Sequence, residues 1–121
     1  MLYITVATIL DKGRAVANLS YSFNENHKIF RVELFIDKSD WRKNKQIFDP
    51  LKHHDKEIED ALGSQLMWER MDNRPPSRIS LRYGDEIVST EGTDELAKLK
   101  EWAVDTMIRF QKVMNEYVSK G

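Results

Sequence analysis

Two carboxylates and three guanidiniums occur at alternating positions of three predicted strands, which places them on one face of a sheet. They are Arg31 and Glu33 on one strand, Glu69 on a second, and Arg78 and Arg82 on a third. Arginine donates hydrogen bonds in a planar fork, so this set could grip a phosphate or a carboxylate. The alternative is a set of cross-strand ion pairs on a solvated face, each worth about 0.2 to 1 kcal/mol. We predict these five as candidate binding residues.

A metal site at the same place has less support. Glu33 and Glu69 could hold a divalent cation for hydrolysis, but no third acidic ligand or general-base lysine accompanies them in a recognisable motif. His53 and His54 are neighbours on a predicted helix and point in different directions, which disfavours a shared zinc ion. We therefore predict neither a metal site nor a cofactor.

Large apolar side chains share the predicted face with the charged set. They are Ile29, Phe35, Met67 and Met71. A purely solvated sheet would not carry so many, so this face predicts a protein partner, either a second copy of the chain or an upstream segment. The alternative is that the C-terminal helix or an acidic loop folds over it.

The sequence contains no recognisable catalytic motif. Cysteine is absent, which excludes thiol catalysis, disulfides and thiolate metal sites. The G-x-S-x-G, P-loop, G-x-G-x-x-G and H-E-x-x-H patterns are absent as well. Our leading hypothesis is a non-catalytic protein-interaction or self-association module, and the missing motifs argue against an enzyme.

Charge is unevenly distributed along the chain. Residues 38–56 carry six basic and three acidic side chains, a formal balance of +3, whereas residues 85–101 carry six acidic and two basic ones, a balance of -4. The basic stretch could follow a phosphate backbone, so the second hypothesis is a nucleic-acid-binding domain that uses the arginine-bearing face and the first helix. A solvated helix of mixed charge explains the same pattern.

Length and composition fit one cytoplasmic domain. The chain has 121 residues, 40% hydrophobic and 32% charged, with a net charge of -1. This size is typical of a single core, so we predict one domain over residues 1–121. No segment approaches the roughly 20 apolar residues that span a bilayer, and we expect no membrane association.

Period-two alternation predicts three strands, at residues 2–10, 15–23 and 28–37, joined by turns at 11–14 and 24–27. Gly13 can take the positive φ that a tight hairpin turn needs. Residues 2–10 are apolar on both faces, which predicts cover on both sides. The three strands form an antiparallel meander.

Helical spacing predicts a helix from Trp41 to Leu62, with a kink at Pro50 or a restart capped by Asp49. A strand hairpin at 65–83, an acidic loop at 84–92 and a last helix capped by Thr93 follow. The fold prediction is α+β, with an antiparallel five-stranded sheet and two main helices in two layers, in the order βββ-α-ββ-α.

Several segments carry a family resemblance. They are RVELFID (31–37), NKQIFDPL (44–51), KEIEDALG (56–63), LMWERM (66–71), SRISL (77–81) and EWAVDTM (101–107). On these segments the chain resembles an uncharacterised prokaryotic and viral domain family, usually found at the C-terminal end of longer proteins. Some members carry an N-terminal segment similar to PD-(D/E)XK nucleases. The resemblance implies a domain without established activity, sometimes coupled to nucleic-acid processing, and supplies no catalytic residues. The chain starts directly at a strand and has no nuclease segment, so we expect no nuclease activity.

Overall fold

A five-stranded antiparallel sheet is covered on one face by three helices. The computed structural model describes residues 2–24, 29–84 and 93–120. The elements are β1 (Leu2–Asp11), β2 (Arg14–Asn24), β3 (Ile29–Ile36), α1 (Trp41–His53), α2 (Asp55–Leu62), β4 (Met67–Glu69), β5 (Ser77–Arg82) and α3 (Thr93–Lys120). The strand order is β1-β2-β3-β5-β4. The predicted α+β class and element order are confirmed. Most of the predicted turn at 24–27 and of the acidic loop at 84–92 lies outside the described residues.

The first three strands form the predicted meander. Between β1 and β2 both Lys12 (φ 52) and Gly13 (φ 78) have positive φ, as in the two-residue turns whose twist matches antiparallel strands. β5 then pairs with β3, and β4 lies at the edge beyond β5. This order places the third strand at the centre of the sheet.

The predicted cover on both sides of the first strand is wrong. β1 is an edge strand, and the register shift between Thr5 and Ala7 leaves Val6 as an extra residue at a bulge. The bulge changes the alternation, so that Ala7 and Ile9 pair with Leu19 and Ala17 on the helix-covered face. Much of the remaining apolar surface of β1 is exposed.

The helical segment breaks later than predicted. Pro50 lies inside α1, and the helix continues to His53. The break is at His54, whose amide donates to the carbonyl of Leu51 and whose own carbonyl accepts from Ile58. Acidic Asp55 and Glu57 in the first turn of α2 favour a helix start there, because they complement the positive end of the helix dipole.

The core lies between the sheet and the helices. The fully buried side chains include Leu19, Leu34, Ile79, Phe110 and Met114, from three strands and α3. α3 is fixed to the sheet by a hydrogen bond from the Tyr21 hydroxyl to the Ala103 carbonyl, 2.9 Å long. None of the helices in the described ranges is long and apolar enough to cross a membrane.

A buried lysine on α1 fixes the segment between β4 and β5. Lys45 is only 4% exposed. Its Nζ lies within hydrogen-bond distance of the carbonyl oxygens of Arg70, Met71 (3.1 Å), Arg74 (3.1 Å) and Pro76 (2.8 Å) and of Ser77 Oγ (2.9 Å), so these acceptors share the N–H groups of one ammonium. Burial lowers the pKa of Lys45, and the nearby Arg70 lowers it further, against the opposing charges of Asp72 and Asp49. One ammonium therefore draws together the carbonyls of the β4–β5 connection, of which that of Met71 also accepts from the Arg74 amide and that of Arg70 from the Ser77 hydroxyl. We call this group the Lys45 cluster.

The neighbouring residue extends the same anchoring. Asn44 is fully buried, and its side chain accepts from the Lys38 amide (2.7 Å) and donates to the carbonyls of Lys38 (3.1 Å) and Pro75 (2.8 Å). These bonds join the end of β3, the start of α1 and the β4–β5 connection. They also set where Glu69 and Arg78, at the two ends of that connection, face each other.

We expect the substitution Lys45→Met to lower the free energy of unfolding by about 3 kcal/mol, because it leaves several buried acceptors without a donor. Urea unfolding followed by tryptophan fluorescence measures the change. Lys56→Met, at an exposed position of α2, is the matched control and should change stability by less than about 0.5 kcal/mol. Equal losses in the two variants would contradict a structural role for the Lys45 cluster.

Candidate functional site

The structure brings the five predicted charged residues onto the sheet face opposite the helices, here called the outer face. In the register, Arg31 lies opposite Arg82, Glu33 opposite Ser80, and Glu69 opposite Arg78. On the other side of β3, Arg31 and Glu33 pair with Ser22 and Ser20 of β2. Three adjacent strands and the short β4 therefore contribute to one polar cluster.

Glu33 is the centre of this cluster and is fully buried. The Ser22 hydroxyl donates to Glu33 Oε2 over 3.2 Å, and Arg78 Nη1 lies 3.7 Å from the same oxygen. Within the described residues, Glu33 Oε1 has no hydrogen-bond partner. Burial raises the pKa of Glu33, and the positive charges of Arg78 and Arg31 and the Ser22 hydrogen bond only partly offset this effect.

Arg78 links the buried carboxylate to the edge of the sheet. Its Nε donates to Glu69 Oε2 over 2.7 Å, and its side chain is 14% exposed. Burial lowers the pKa of Arg78, but the hydrogen bond to Glu69 and the charges of Glu69 and Glu33 outweigh burial, so the net shift is upward. The guanidinium is therefore committed to two carboxylates of its own chain.

Aromatic side chains lie over the same cluster. The rings of Tyr3 and Phe35 are 6.4 Å apart, which bridges the outer face from β1 to β3 across β2. On the outer face the Tyr3 ring is exposed and the Phe35 ring is half-buried.

This geometry limits what the five residues can do. Glu33 and Arg31 are buried, Arg78 is paired, and Glu69 is half-buried against Arg78, whereas Arg82 is exposed. A ligand has no open path to the Glu33 carboxylate. The Glu69–Arg78 contact is a cross-strand ion pair, which is the alternative given for these residues in the sequence analysis.

The four predicted apolar residues do not form a single exposed patch. Ile29, Phe35 and Met67 are on the outer face but half-buried, and Met71 follows β4 with a φ of 58° and is also half-buried. The largest exposed apolar side chains on the sheet belong instead to β1. Sequence reasoning missed this surface, although an uncharged strand beginning at residue 2 was a signal for it.

The basic first helix is partly neutralised or buried. Lys45 is inside, Lys38 Nζ donates to the Ala15 carbonyl, and Lys52 pairs with Asp55 at 2.6 Å. His54 Nδ1 is 3.4 Å from Glu57. Across the described ranges, no three His, Asp or Glu side chains converge as a set of metal ligands.

Comparison with known protein families gives a match over most of the chain. The family model DUF4268, a domain of unknown function, matches residues 10–118. Neither a curated protein nor a solved structure matches the chain.

The raised pKa of Glu33 gives a pH-dependent prediction. Because this pKa lies above the ordinary value of 4.5, the folded state binds the proton more tightly than the unfolded state does. The wild-type protein therefore loses stability as the pH rises from 4.5 through the raised pKa. We expect Glu33→Gln, which cannot titrate, to gain stability relative to the wild type over that range.

Urea unfolding at a series of pH values tests this difference. Glu101→Gln removes a carboxylate from an exposed position on α3 and is the matched control. A stability difference between Glu33→Gln and the wild type that stays constant with pH would overturn the prediction.

Proposed function

This chain belongs to the DUF4268 family, a family of domains of unknown function, and we propose that it is a self-association module that pairs two copies through β1. The observation that carries the proposal is the exposed apolar edge of the sheet. The large exposed side chains there are Leu2 (58%), Tyr3 (51%), Ile4 (65%), Val6 (47%) and Leu10 (53%). Such a surface is typical of a contact site rather than of a solvated edge.

The charge pattern of β1 favours a second copy as the partner. Residues 2–10 contain no charged side chain, whereas exposed edge strands are usually protected by lysine, proline or inward-pointing charge. A strand without charge meets its own copy without repulsion. Because β1 carries no charge, it would not favour an acidic or a basic peptide as its partner.

Two-fold symmetry fits an antiparallel edge. When β1 pairs with the β1 of a second copy, each residue makes the same contact in both chains, and two five-stranded sheets become one sheet of ten strands. The unpaired amides and carbonyls along the free side of β1 would then find partners. The Val6 bulge interrupts the strand, so pairing would extend on either side of it.

α3 adds apolar surface beside the same edge. α3 contacts β1, and its exposed side chains include Val104 (55%) and Ile108 (62%). At 100° per residue these two lie on the flank of α3 opposite Trp102, Thr106 and Arg109. In a continuous sheet both helix layers lie on the same side, so the Val104 and Ile108 flanks of the two copies would face each other.

A nucleic-acid role for the outer face has less support, because Arg78 is committed to Glu69 and Glu33 at the centre is buried. Association is compatible with a role beside a nucleic-acid-processing segment. Where such a segment accompanies the domain, pairing through β1 would hold two copies of that segment at a fixed separation.

We expect the protein to form a dimer at micromolar concentration and Ile4→Lys to shift it to a monomer, because each copy would then bring an ammonium group into an apolar contact. Sedimentation equilibrium measures the mass. Ala61→Lys, at an exposed position of α2, is the control and should remain dimeric.

Thermal unfolding checks that both variants are folded. A wild-type monomer across the concentration range would refute the proposal. A dimer that Ile4→Lys leaves unchanged would place the contact elsewhere and refute the assignment to β1.

A further inference from the structure

A groove runs along the flank of α1 on the helix-covered side of the molecule, next to the β1–β2 turn. Its wider part has a volume of about 520 Å³ and lies between this turn, the start of β2, Lys38 and the first two turns of α1. A narrower part of about 130 Å³ continues to the C-terminal end of α3. Because both parts are lined by Asp11, Val16, Gln46 and Ile47, they form one continuous groove, which we call the α1 groove.

Among the described residues, four basic side chains and one acidic side chain line the wider part. They are Lys12, Arg14, Lys38 and Lys43, with Asp11 as the acidic one. Lys12, Arg14 and Lys43 are exposed, and none of them forms an ion pair or a side-chain hydrogen bond with the described part of the chain. The wider part is therefore electropositive, and three of its cations are available to an anionic partner.

These basic residues reach the groove from one side of the sheet. Arg14 and Lys38 come two residues before Val16 and two residues after Ile36, which both pack against the core, so alternation places them on the helix-covered side. Lys43 lies in the first turn of α1, which contains no acidic residue. Because the start of a helix carries partial positive charge, Lys43 is unfavourable there, and an anion in the groove would offset this effect.

The narrower part of the α1 groove is mainly apolar. Val16, Ile47 and Tyr117 line it, and all three are half-buried and pack against the core. The register shift between Ile9 and Leu10 leaves Val16 as an extra residue of β2, and bulges of this kind change the direction of a side chain. No basic side chain of the described residues lines this part. It therefore suits an apolar side chain rather than a second anionic group.

We propose that the α1 groove binds a short peptide segment of a partner protein that combines acidic side chains with a large apolar one. The acidic side chains pair with Lys12, Arg14 and Lys43, and the apolar side chain packs on Val16 and Ile47. A nucleic-acid strand fits less well, because its phosphates would pass Asp11 and enter the part that no cation of the described residues lines. None of the exposed apolar residues of β1 lines the groove, so this proposal does not depend on self-association.

Selection from a phage-displayed library of random peptides, followed by fluorescence polarisation with the selected sequences as labelled synthetic peptides, tests the proposal. We expect these peptides to be rich in aspartate and glutamate, to contain a large apolar residue, and to bind with a dissociation constant below about 100 μM. Arg14→Gln combined with Lys43→Gln should weaken binding about tenfold or more. Arg109→Gln combined with Lys112→Gln removes the same two charges from exposed positions of α3 outside the groove, and this matched control should bind as the wild type does.

A change in the peptide separates binding in the groove from charge attraction alone. Replacing the large apolar residue of a selected peptide by serine should weaken its binding about tenfold, because the narrower part then loses its apolar contact. Thermal unfolding checks that both double variants are folded.

Four results would overturn the proposal. They are selected peptides without the acidic and apolar composition, no selected peptide that binds below about 100 μM, equal binding by the two double variants, and a serine-substituted peptide that binds as tightly as its parent. A labelled oligothymidylate that binds the wild type more tightly than every selected peptide would instead identify the partner as a nucleic acid and overturn the peptide assignment.

Discussion

A single buried ammonium determines how the second half of the sheet is joined to the first. Lys45 extends from α1 into the turn between β4 and β5 and meets four carbonyls and one hydroxyl there, while Asn44 beside it ties the same turn to the end of β3. The turn contains Pro75 and Pro76, which donate no amide hydrogen, and a backbone hydrogen bond inside it joins the Arg74 amide to the Met71 carbonyl. Lys45 supplies a donor to the carbonyls of Arg74 and Pro76. The facing positions of Glu69 and Arg78, and through them the position of the Arg78 guanidinium beside Glu33, depend on this arrangement.

The outer face thus combines a closed polar centre with two different margins. Glu33, Ser22 and Arg78 form hydrogen bonds and ion pairs that require one particular register of β2, β3 and β5, because a slip by one residue would carry the charged side chains into the apolar core. On one margin β1 presents an apolar edge, and beyond the other margin Arg82 and Arg109 border a cavity. The β1 edge and this cavity are separated by the breadth of the sheet, and the polar centre lies between them.

Much of this arrangement follows from period-two alternation. The pattern placed Arg31, Glu33 and Phe35 on the face opposite Val32 and Leu34, and it placed Gly13 in a turn, where it has positive φ. Alternation tells which side a residue faces but not what lies over that side, so it could not show that the Tyr3 and Phe35 rings meet across β2 or that β1 is an edge strand. The burial of Lys45 could not be predicted either, because the sequence of a mixed-charge helix does not show which of its lysines is buried. The helical segment breaks at His54 and not at Pro50, and the acidic Asp55 and Glu57 favour the start of a new helix there. A cavity beside β5 is lined by residues of α2, β4, β5 and α3, and no local pattern in the sequence reveals that these elements meet there.

The two edge strands of the sheet differ in length, and this difference limits how copies of the chain could assemble. β1 has ten residues, whereas β4 at the far end has three. A fibre can grow by strand addition only if both edge strands of the sheet can pair, since each added copy must present a free edge strand to the next copy. A three-residue strand offers few backbone groups for pairing. When two copies pair through β1, the edge strands left at the outside of the joined sheet are the two short β4 strands. Growth by strand addition would therefore stop at the dimer, so an apolar edge strand in this fold would not lead to a fibre.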